Sequence, residues 1–328
     1  MTKSAPILQT SRARRIAFIL VEGFPLLPAT AAIEPFRAAN TMSGDLLYSL
    51  QFVSLWGNRA TSSLGGSFET KPFTESRQDM DIAFVVAGGN PLTFYHPELN
   101  GWLRRLDSRG VALGGISGGA AILARAGLMS NRRFTVHWEL FDALRASDES
   151  LLLEQRLFVI DRNRYSCAGG IAPLDMAHAM IASEHGAELA QRVSDWFVHT
   201  HVRMAEDPQR VGLAQRYRTS HPALLAAIEY MQSHVADPLS LGQIASLAGI
   251  GERQMQRLFQ TELNMPTIRF YRQLRLNKAE ELLQRTTLPI AEIATLTGFA
   301  SPAHFSRCFV EEFGHSPRKA RNRSGQED

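Results

Sequence analysis

The stretch "GGISGGAAILARAGL", residues 114–128, joins a strand-like apolar pattern to an alanine-rich helical pattern through a cluster of glycines. Its residues Gly115-Ile116-Ser117-Gly118-Gly119 fit G-x-S-x-G, a motif that places a serine on a sharp strand-to-helix turn. Strands followed directly by helices are the building unit of parallel α/β sheets. This stretch therefore predicts a parallel sheet around it and raises the question of whether Ser117 is a nucleophile.

The residues on both sides extend the same pattern. Helical patterns at 97–108, 172–183 and 187–203 alternate with short apolar runs of strand type. Those runs are "RIAFILVE", "YSLQFVSLW", "MDIAFVVAGG", "GVALGGIS", "RLFVID" and "RYSCAGG". The alternation predicts an α/β fold for residues 1–205, a flavodoxin-like sandwich with a parallel sheet between helices.

A polar segment at 206–220 reads as a linker, and no strand pattern returns after it. The remainder contains an internal repeat: "LSLGQIASLAGI" from Leu239 aligns with "LPIAEIATLTGF" from Leu288. Each copy has a short helix, a glycine turn and a second helix with apolar residues at helical spacing. We therefore predict an all-α domain at 221–323 with two helix-turn-helix motifs, followed by a tail at 324–328.

Capping residues support these helix boundaries. Ser240 and Gln243 form a candidate capping box, Ser301 precedes a proline at the first helical position, and Gly314 is predicted to end the last helix. The segment 268–285 between the repeats would span about 27 Å as a helix. That length would allow the second helices of the two motifs to enter successive major grooves, which recur every 34 Å or so.

Composition excludes several classes of protein. The chain has 328 residues, of which 45% are hydrophobic and 20% charged, which is typical of a folded globular protein. Its two cysteines, Cys167 and Cys308, fall in different predicted domains, so we expect buried thiols rather than a disulfide. The apolar run "IAFILV" is too short to span a membrane. We expect a cytoplasmic protein without a membrane partner.

The C-terminal repeat resembles the DNA-binding domain of AraC/XylS-type transcription regulators. The segments "GFASPAHFSRCFVEEFGHSPRKAR" at 298–321 and "AGIGERQMQRLFQTELNMP" at 248–266 carry the resemblance. The front half resembles the class I glutamine amidotransferase-like fold of PfpI-type proteins, and the combination is that of the GlxA-type branch. The resemblance implies binding to double-stranded DNA, a small-molecule effector, homodimers, and activation of transcription through RNA polymerase.

The second helix of each motif carries the candidate DNA contacts. Arg257 and Arg307 occupy the same position in the two copies, which favours a shared role over a merely solvated helix face. Residues 218–323 hold 13 Lys and Arg against 9 Asp and Glu, so the predicted domain is mildly basic. The predicted DNA-binding residues are Arg253, Gln256, Arg257, Ser301, His304 and Arg307.

The resemblance also bears on catalysis. In that superfamily the elbow normally carries a cysteine, supported by an acid after the first strand and often by a histidine. Here those positions are Ser117, Pro28 and His137. A serine needs a base, and proline cannot hold a proton, so we predict no catalytic residue, no cofactor and no metal. The alternatives are a PfpI-type hydrolase or hydratase fused to a DNA-binding domain, and a front domain that only dimerises.

The predicted effector site comprises Gly89, Asn90, Ser117, Gly118, His137 and Trp138. Open α/β sheets bind ligands at such strand ends. The alternatives are that Ser117 is only a small residue at a crowded turn and that His137 and Trp138 are core. The segments "AAIEPFRAAN" and "FTVHWE" resemble branch members that sense amino acids or quaternary amines such as arginine, carnitine or glycine betaine, and Trp138 and Tyr95 could face such a cation.

Overall fold

The computed structural model describes residues 12–76, 79–286 and 288–323. The chain divides into two compact units, Met1–Gln209 and Arg210–Asp328. The division falls inside the segment 206–220 that was predicted as a linker, and this segment contains a short helix at Leu213–Tyr217. The predicted tail at 324–328 lies outside the described residues.

The first unit alternates strands and helices along the chain. Its strands are β1 Arg14–Leu20, β2 Tyr48–Ser54, β3 Asn58–Thr61, β4 Ser67–Pro72, β5 Ile82–Ala87, β6 Ala112–Ser117, β7 Arg133–Phe134, β8 Leu152–Leu153, β9 Phe158–Asp161 and β10 Arg164–Cys167. Its helices are α1 Leu26–Ser43, α2 Pro97–Ser108, α3 Gly119–Arg125, α4 Trp138–Ser147, α5 Ala172–His185 and α6 Ala187–Trp196.

Eight of these strands form one sheet in the order β3-β4-β2-β1-β5-β6-β10-β9. The six central strands run parallel, and β3 and β9 pair antiparallel at the two edges. The predicted parallel α/β fold is confirmed. The hairpin of β3 and β4 was missed, because its mixed polar residues form a half-exposed edge without a continuous apolar run.

Helices cover both faces of this sheet, which explains why its central strands are apolar throughout. Along β1, Ile16, Phe18 and Leu20 pack into the core with helices α1, α5 and α6. The alternate residues Ala17 and Ile19 pack into a second core with α2, α3 and α4. The sheet is therefore buried between two helical layers.

The helix predicted at 187–203 is shorter than its pattern suggests. Helix α6 ends at Trp196, and Val198 then takes a positive φ of 55°, which is costly for a β-branched residue. The N–H of His199 donates to the carbonyl of Ser194, and His199 Nε2 and the guanidinium of Arg203 both bind the buried carboxylate of Asp175. The helix ends because of contacts with residues distant in the chain. The local sequence therefore could not predict where it ends.

The described elements of the second unit are helices: α7 Leu213–Tyr217, α8 Pro222–Ser233, α9 Leu241–Leu247, α10 Glu252–Leu263, α11 Thr267–Arg285, α12 Ile290–Leu296, α13 Pro302–Phe313 and α14 Pro317–Arg323. The capping box of Ser240 and Gln243 and the N-cap at Ser301 are confirmed. Gly314 ends α13 in the left-handed conformation, but α14 follows it. The prediction that Gly314 ends the last helix is therefore wrong.

No helix in 12–76, 79–286 or 288–323 is long and apolar enough to cross a membrane. Within the same ranges, no group of three or more His, Cys, Asp or Glu side chains has the arrangement of a metal site. Cys167 and Cys308 are both buried free thiols, as predicted.

Candidate functional site

The turn between β6 and α3 has the geometry of a nucleophile elbow. Ser117 ends the strand with a φ of 57°, in the left-handed region that non-glycine residues rarely occupy, and α3 begins two residues later at Gly119. A Cβ at Gly115 would lie 2.2 Å from the backbone nitrogen of Ala120, and one at Gly119 would lie 1.8 Å from the carbonyl oxygen of Val85. The glycines are therefore required by packing.

Two groups that such an elbow needs for catalysis are not available here: the oxyanion donor is already hydrogen-bonded, and the acid is missing. An elbow nucleophile normally uses the N–H of the next residue as an oxyanion donor. Here the N–H of Gly118 donates to the carbonyl of Ala87 at 2.9 Å. Pro28 is buried in α1 and supplies no carboxylate. The turn thus keeps the shape of the enzyme site without its chemistry.

The thiol nearest the elbow is also unreactive. Cys167, at the end of β10, is fully buried, and the N–H groups of Gly169 and Ser117 point to its sulfur. Burial raises the pKa of this thiol to about 12, so it stays protonated at neutral pH. Because the thiolate is the nucleophilic form, Cys167 does not replace the missing elbow cysteine.

The elbow is expected to be catalytically silent, because Ser117 replaces the thiol and Pro28 the acid, and Ser117→Ala is expected to leave DNA binding without effector unchanged. The measurement is the affinity of the purified chain for its operator, together with an assay on generic ester and amide substrates. Turnover by the parent chain that disappears in Ser117→Ala would contradict this prediction.

Four predicted effector residues lie together at the strand ends. Ala87 pairs with Ser117, and Gly118 packs so closely against Pro91 that a Cβ there would lie 2.7 Å from the proline ring. The loop between Ala87 and Pro91 contains Gly89, at a φ of 58°, and Asn90. The side-chain oxygen of Asn90 is buried and has no hydrogen-bond partner among the described residues.

His137 and Trp138 lie at the start of α4. His137 Nδ1 accepts from the N–H of Glu139 at 3.4 Å, and its ring lies 5.4 Å from that of Trp138. Both side chains are half-buried rather than core. Two residues earlier, the N–H of Thr135 donates to Ser166 Oγ on β10, the strand beside β6. The pair is thus connected to the elbow through β10.

Two cavities, of about 370 and 450 Å³, adjoin strands β1 and β2. Arg14, Asp81 and Glu184 line the first, and Arg15, Lys71 and Asp79 contribute to the second. The first cavity lies at the amino ends of β1 and β2, and the second extends along β2 from Ser49 to Phe52. Gly89, Asn90, Ser117 and Gly118 instead follow the carboxyl ends of β5 and β6. Sequence reasoning did not find these cavities, because the charged residues that line them are scattered along the chain.

The second helices of the two helix-turn-helix motifs, α10 and α13, have the same pattern of burial. In α10, Met255, Leu258 and Phe259 are buried, and in α13, Phe305, Cys308 and Phe309 are buried. All six predicted DNA-binding residues are exposed: Arg253, Gln256, Arg257, Ser301, His304 and Arg307. Glycines 249 and 298 have φ angles of 72° and 73° at the two turns, which confirms the predicted glycine turns.

The exposed arginines of these helices are available to a partner. Arg253, Arg257 and Arg307 form no ion pair with any other residue that the structure describes. Ser301 instead has a structural contact, since its hydroxyl oxygen accepts the N–H of His304 at 3.2 Å as the N-cap of α13. His304 also lies edge-on to Phe299, with ring centroids 5.8 Å apart.

Helix α11 connects the two motifs through contacts that the sequence did not predict. Arg275 donates from Nε to the carbonyl of Thr297 at 3.0 Å, and its guanidinium lies 4.3 Å from the centre of the Phe299 ring. A Cβ at Gly298 would lie 2.4 Å from Pro238, so the two halves of the unit approach closely. These contacts fix the second turn against α11.

A parallel α/β unit with a disabled elbow, followed by paired helix-turn-helix motifs with exposed arginines, defines a DNA-binding regulator. Residues 244–323 match the helix-turn-helix domain family, and residues 14–183 match the DJ-1/PfpI family. The chain belongs to the AraC-type transcriptional regulators that carry a DJ-1/PfpI domain, in the GlxA branch.

Individual relatives agree with this assignment. The chain is 42% identical to the HTH-type transcriptional regulator GlxA of Rhizobium meliloti, over 95% of this chain and 97% of that one. It is 40% identical to CdhR of Pseudomonas aeruginosa, over 93% and 90%. An AraC family regulator from Pseudomonas putida superimposes with a TM-score of 0.51 at 26% identity, over 56% of this chain and 99% of that one. These relatives support a regulator over the alternative of an enzyme with a DNA-binding tail.

Proposed function

We propose that the first unit binds a small effector at the carboxyl ends of β5 and β6 and controls DNA binding by the second unit. The observation that carries this proposal is the buried side-chain oxygen of Asn90, which has no partner among the described residues. A buried polar atom without a hydrogen bond is costly, and a ligand that donates to it would recover that cost. Gly89, Ser117 and Gly118 complete the site next to it.

The proposed effector is an amino acid or a quaternary amine. Its ammonium group would lie against the face of Trp138, since a cation over an aromatic ring gains about 0.5–2 kcal/mol. Tyr95, which is 71% exposed, offers a second ring on the loop that follows Asn90. His137 would line the same site beside Trp138, and Asn90 would accept a hydrogen bond from the ligand.

Trp138→Ala is expected to abolish most of the thermal stabilisation that such an effector gives. A ligand at a hundred times its Kd stabilises the folded state by about 2.7 kcal/mol, which is easily seen as a rise in Tm. The measurement is the Tm of the full chain with glycine betaine, carnitine or L-arginine, beside the other cytosolic amino acids. Equal shifts in the parent and in Trp138→Ala would place the effector elsewhere, and no shift with any compound would favour a front unit that only dimerises.

We further propose that the protein reads its operator through α10 and α13. Arg253, Gln256 and Arg257 lie at i, i+3 and i+4 on one face of α10. In α13, Ala303 and Arg307 occupy the positions of Arg253 and Arg257, and His304 lies next to Ala303 one turn before Arg307. Because α10 carries more strong hydrogen-bonding side chains, it is expected to discriminate bases more sharply, and α13 to rely more on phosphate and shape. The protein would act in the cytoplasm as a homodimer that activates transcription by contacting RNA polymerase.

A further inference from the structure

The last residues of the first unit, His199–Gln209, form an irregular segment that we call the stem. It leads directly into the second unit, which begins at Arg210. The stem is attached to the rest of its unit at several places. The N–H of Leu157 donates to the carbonyl of Ala205, and Arg156 forms an ion pair with Glu206. Two further attachments adjoin the proposed effector site. The stem and the second unit are consecutive in the chain. A displacement of the stem therefore also displaces Arg210, where the second unit begins.

The first attachment is at the buried carboxylate of Asp175. One of its oxygens accepts from His199 Nε2 at 2.8 Å and from the N–H of Arg203 at 2.9 Å, and the other accepts from the Arg203 guanidinium at 2.7 Å. Asp175 lies in the first turn of α5. That helix follows Gly169, where a Cβ would lie 2.9 Å from the Cβ of Ser117.

The second attachment is the side-chain amide of Gln209. Its Nε2, which carries two hydrogens, lies within hydrogen-bond distance of three acceptors: the carbonyl of Val136 at 3.0 Å, Thr135 Oγ1 at 3.0 Å and the carbonyl of Arg156 at 2.7 Å. Three acceptors around one nitrogen settle the orientation of the amide. Val136 directly precedes His137 and Trp138, so the end of the stem is hydrogen-bonded to the backbone of the effector loop, Phe134–Trp138.

This contact belongs to a buried polar network. Thr135 is fully buried, its hydroxyl donates to the carbonyl of Arg156 at 2.9 Å, and its N–H donates to Ser166 on β10. The side-chain oxygen of Gln209 is itself buried without a partner among the described residues. Buried networks of this kind hold one arrangement tightly, and moving one member disturbs the others.

We infer that Gln209 transmits the state of the effector loop to the DNA-binding unit, an inference that rests on the proposed effector site. A ligand shifts a conformational equilibrium only through different affinities for its two states. In one state Gln209 binds Val136, Thr135 and Arg156, and in the other the effector loop has moved and the stem is released. Coupling is reciprocal, so changes in the loop loosen the stem and changes in the stem loosen the loop.

The first test needs no ligand. Hydrogen exchange of the full-length chain is followed by mass spectrometry in the stem and in the effector loop, for Trp138→Ala, Gln209→Leu and the double variant. Trp138→Ala is expected to speed exchange in the stem by about tenfold, within the range of typical coupling between sites. The double variant is expected to show the same stem exchange as Gln209→Leu alone, because that substitution removes the contact through which the loop acts on the stem.

The matched control is Gln191→Leu, which removes an exposed glutamine whose side chain donates to Asp195 within α6. It is expected to change exchange in neither segment. If Trp138→Ala unfolds, His137→Ala perturbs the same loop and answers the same question. Stem exchange that stays at the parent rate in a folded loop variant overturns the inference, whether or not an effector binds.

The second test separates transmission from binding. Glycine betaine, carnitine and L-arginine are added to the parent and to Gln209→Leu, and both Tm and operator affinity are measured. The inference expects Gln209→Leu still to show a shift in Tm with the effector, altered in size because stem and loop are coupled, and to lose the effect on operator affinity. An equal change of operator affinity in both proteins overturns it. If none of these compounds shifts the Tm, the proposed effector class is wrong, and the exchange measurement alone decides the inference.

Discussion

Arg257→Ala is expected to flatten base preference within one half of the operator. An arginine that reads guanine through two hydrogen bonds is worth about 1–3 kcal/mol of discrimination, which corresponds to about 5- to 150-fold in affinity. Arg307→Ala is expected to act on a patch about one helical turn, 10 to 10.5 bp, away. The measurement is binding to a library of mutated operators at two salt concentrations.

Arg257→Lys is the matched control for charge. Lysine keeps the positive charge but lacks the planar fork that pairs with guanine, so base preference should fall while the dependence on salt stays. A contact to phosphate would behave differently, because its loss weakens all sequences alike and lowers the salt slope by about one. If Arg257→Ala and Arg307→Ala both weaken binding evenly across the library, or if their affected bases are not about one turn apart, this mode of reading DNA is wrong.

Gly119→Ala is expected to destabilise the first unit by about 3 kcal/mol or more. The added Cβ would lie 1.8 Å from the carbonyl oxygen of Val85, and a central strand of a covered sheet has little room to move. All four tryptophans, at positions 56, 102, 138 and 196, lie in this unit. Their fluorescence during urea unfolding of the full chain therefore reports the stability of this unit separately from the second.

Gly101→Ala, in the same unit, is expected to raise the free energy of unfolding and not to lower it. Gly101 lies inside α2, where a Cβ would meet only the end of the Arg105 side chain at 3.5 Å. Alanine is preferred over glycine inside helices, so this variant is expected to gain about 0.5–1 kcal/mol. An unchanged unfolding midpoint in Gly119→Ala would show that the elbow is less tightly packed than the structure indicates. A loss of stability in Gly101→Ala would contradict the open space around that position in α2.

The sequence by itself determined the architecture and the positions of the second helices of the two helix-turn-helix motifs. Strand patterns gave β1, β2, β5 and β6, and the repeat gave both helix-turn-helix motifs with their glycine turns. The capping box at Ser240 and the N-cap at Ser301 were also readable. Each of these features depends on residues close together in the chain, because hydrophobic periodicity and capping bonds are local.

The elbow shows where sequence reasoning was incomplete. The motif around Ser117 predicted the turn. Pro28, at the position where the superfamily has an acid, predicted that the site lacks a carboxylate. The engaged N–H of Gly118 was not predictable, because its acceptor is the carbonyl of Ala87 on another strand. The unpartnered side-chain oxygen of Asn90 was not predictable either. Whether a buried atom has a hydrogen-bond partner depends on all the groups that surround it in the folded chain.

Only the tertiary structure decided how the first unit ends. The helical pattern continued to residue 203, yet α6 stops at Trp196 because Asp175 binds His199 and Arg203 from another helix. Gln209 is one polar residue in a polar segment, and its three acceptors come from positions more than fifty residues earlier in the chain. Local propensity could not reveal these contacts, because the free energy that decides them comes from groups that meet only once the sheet and its helices have packed.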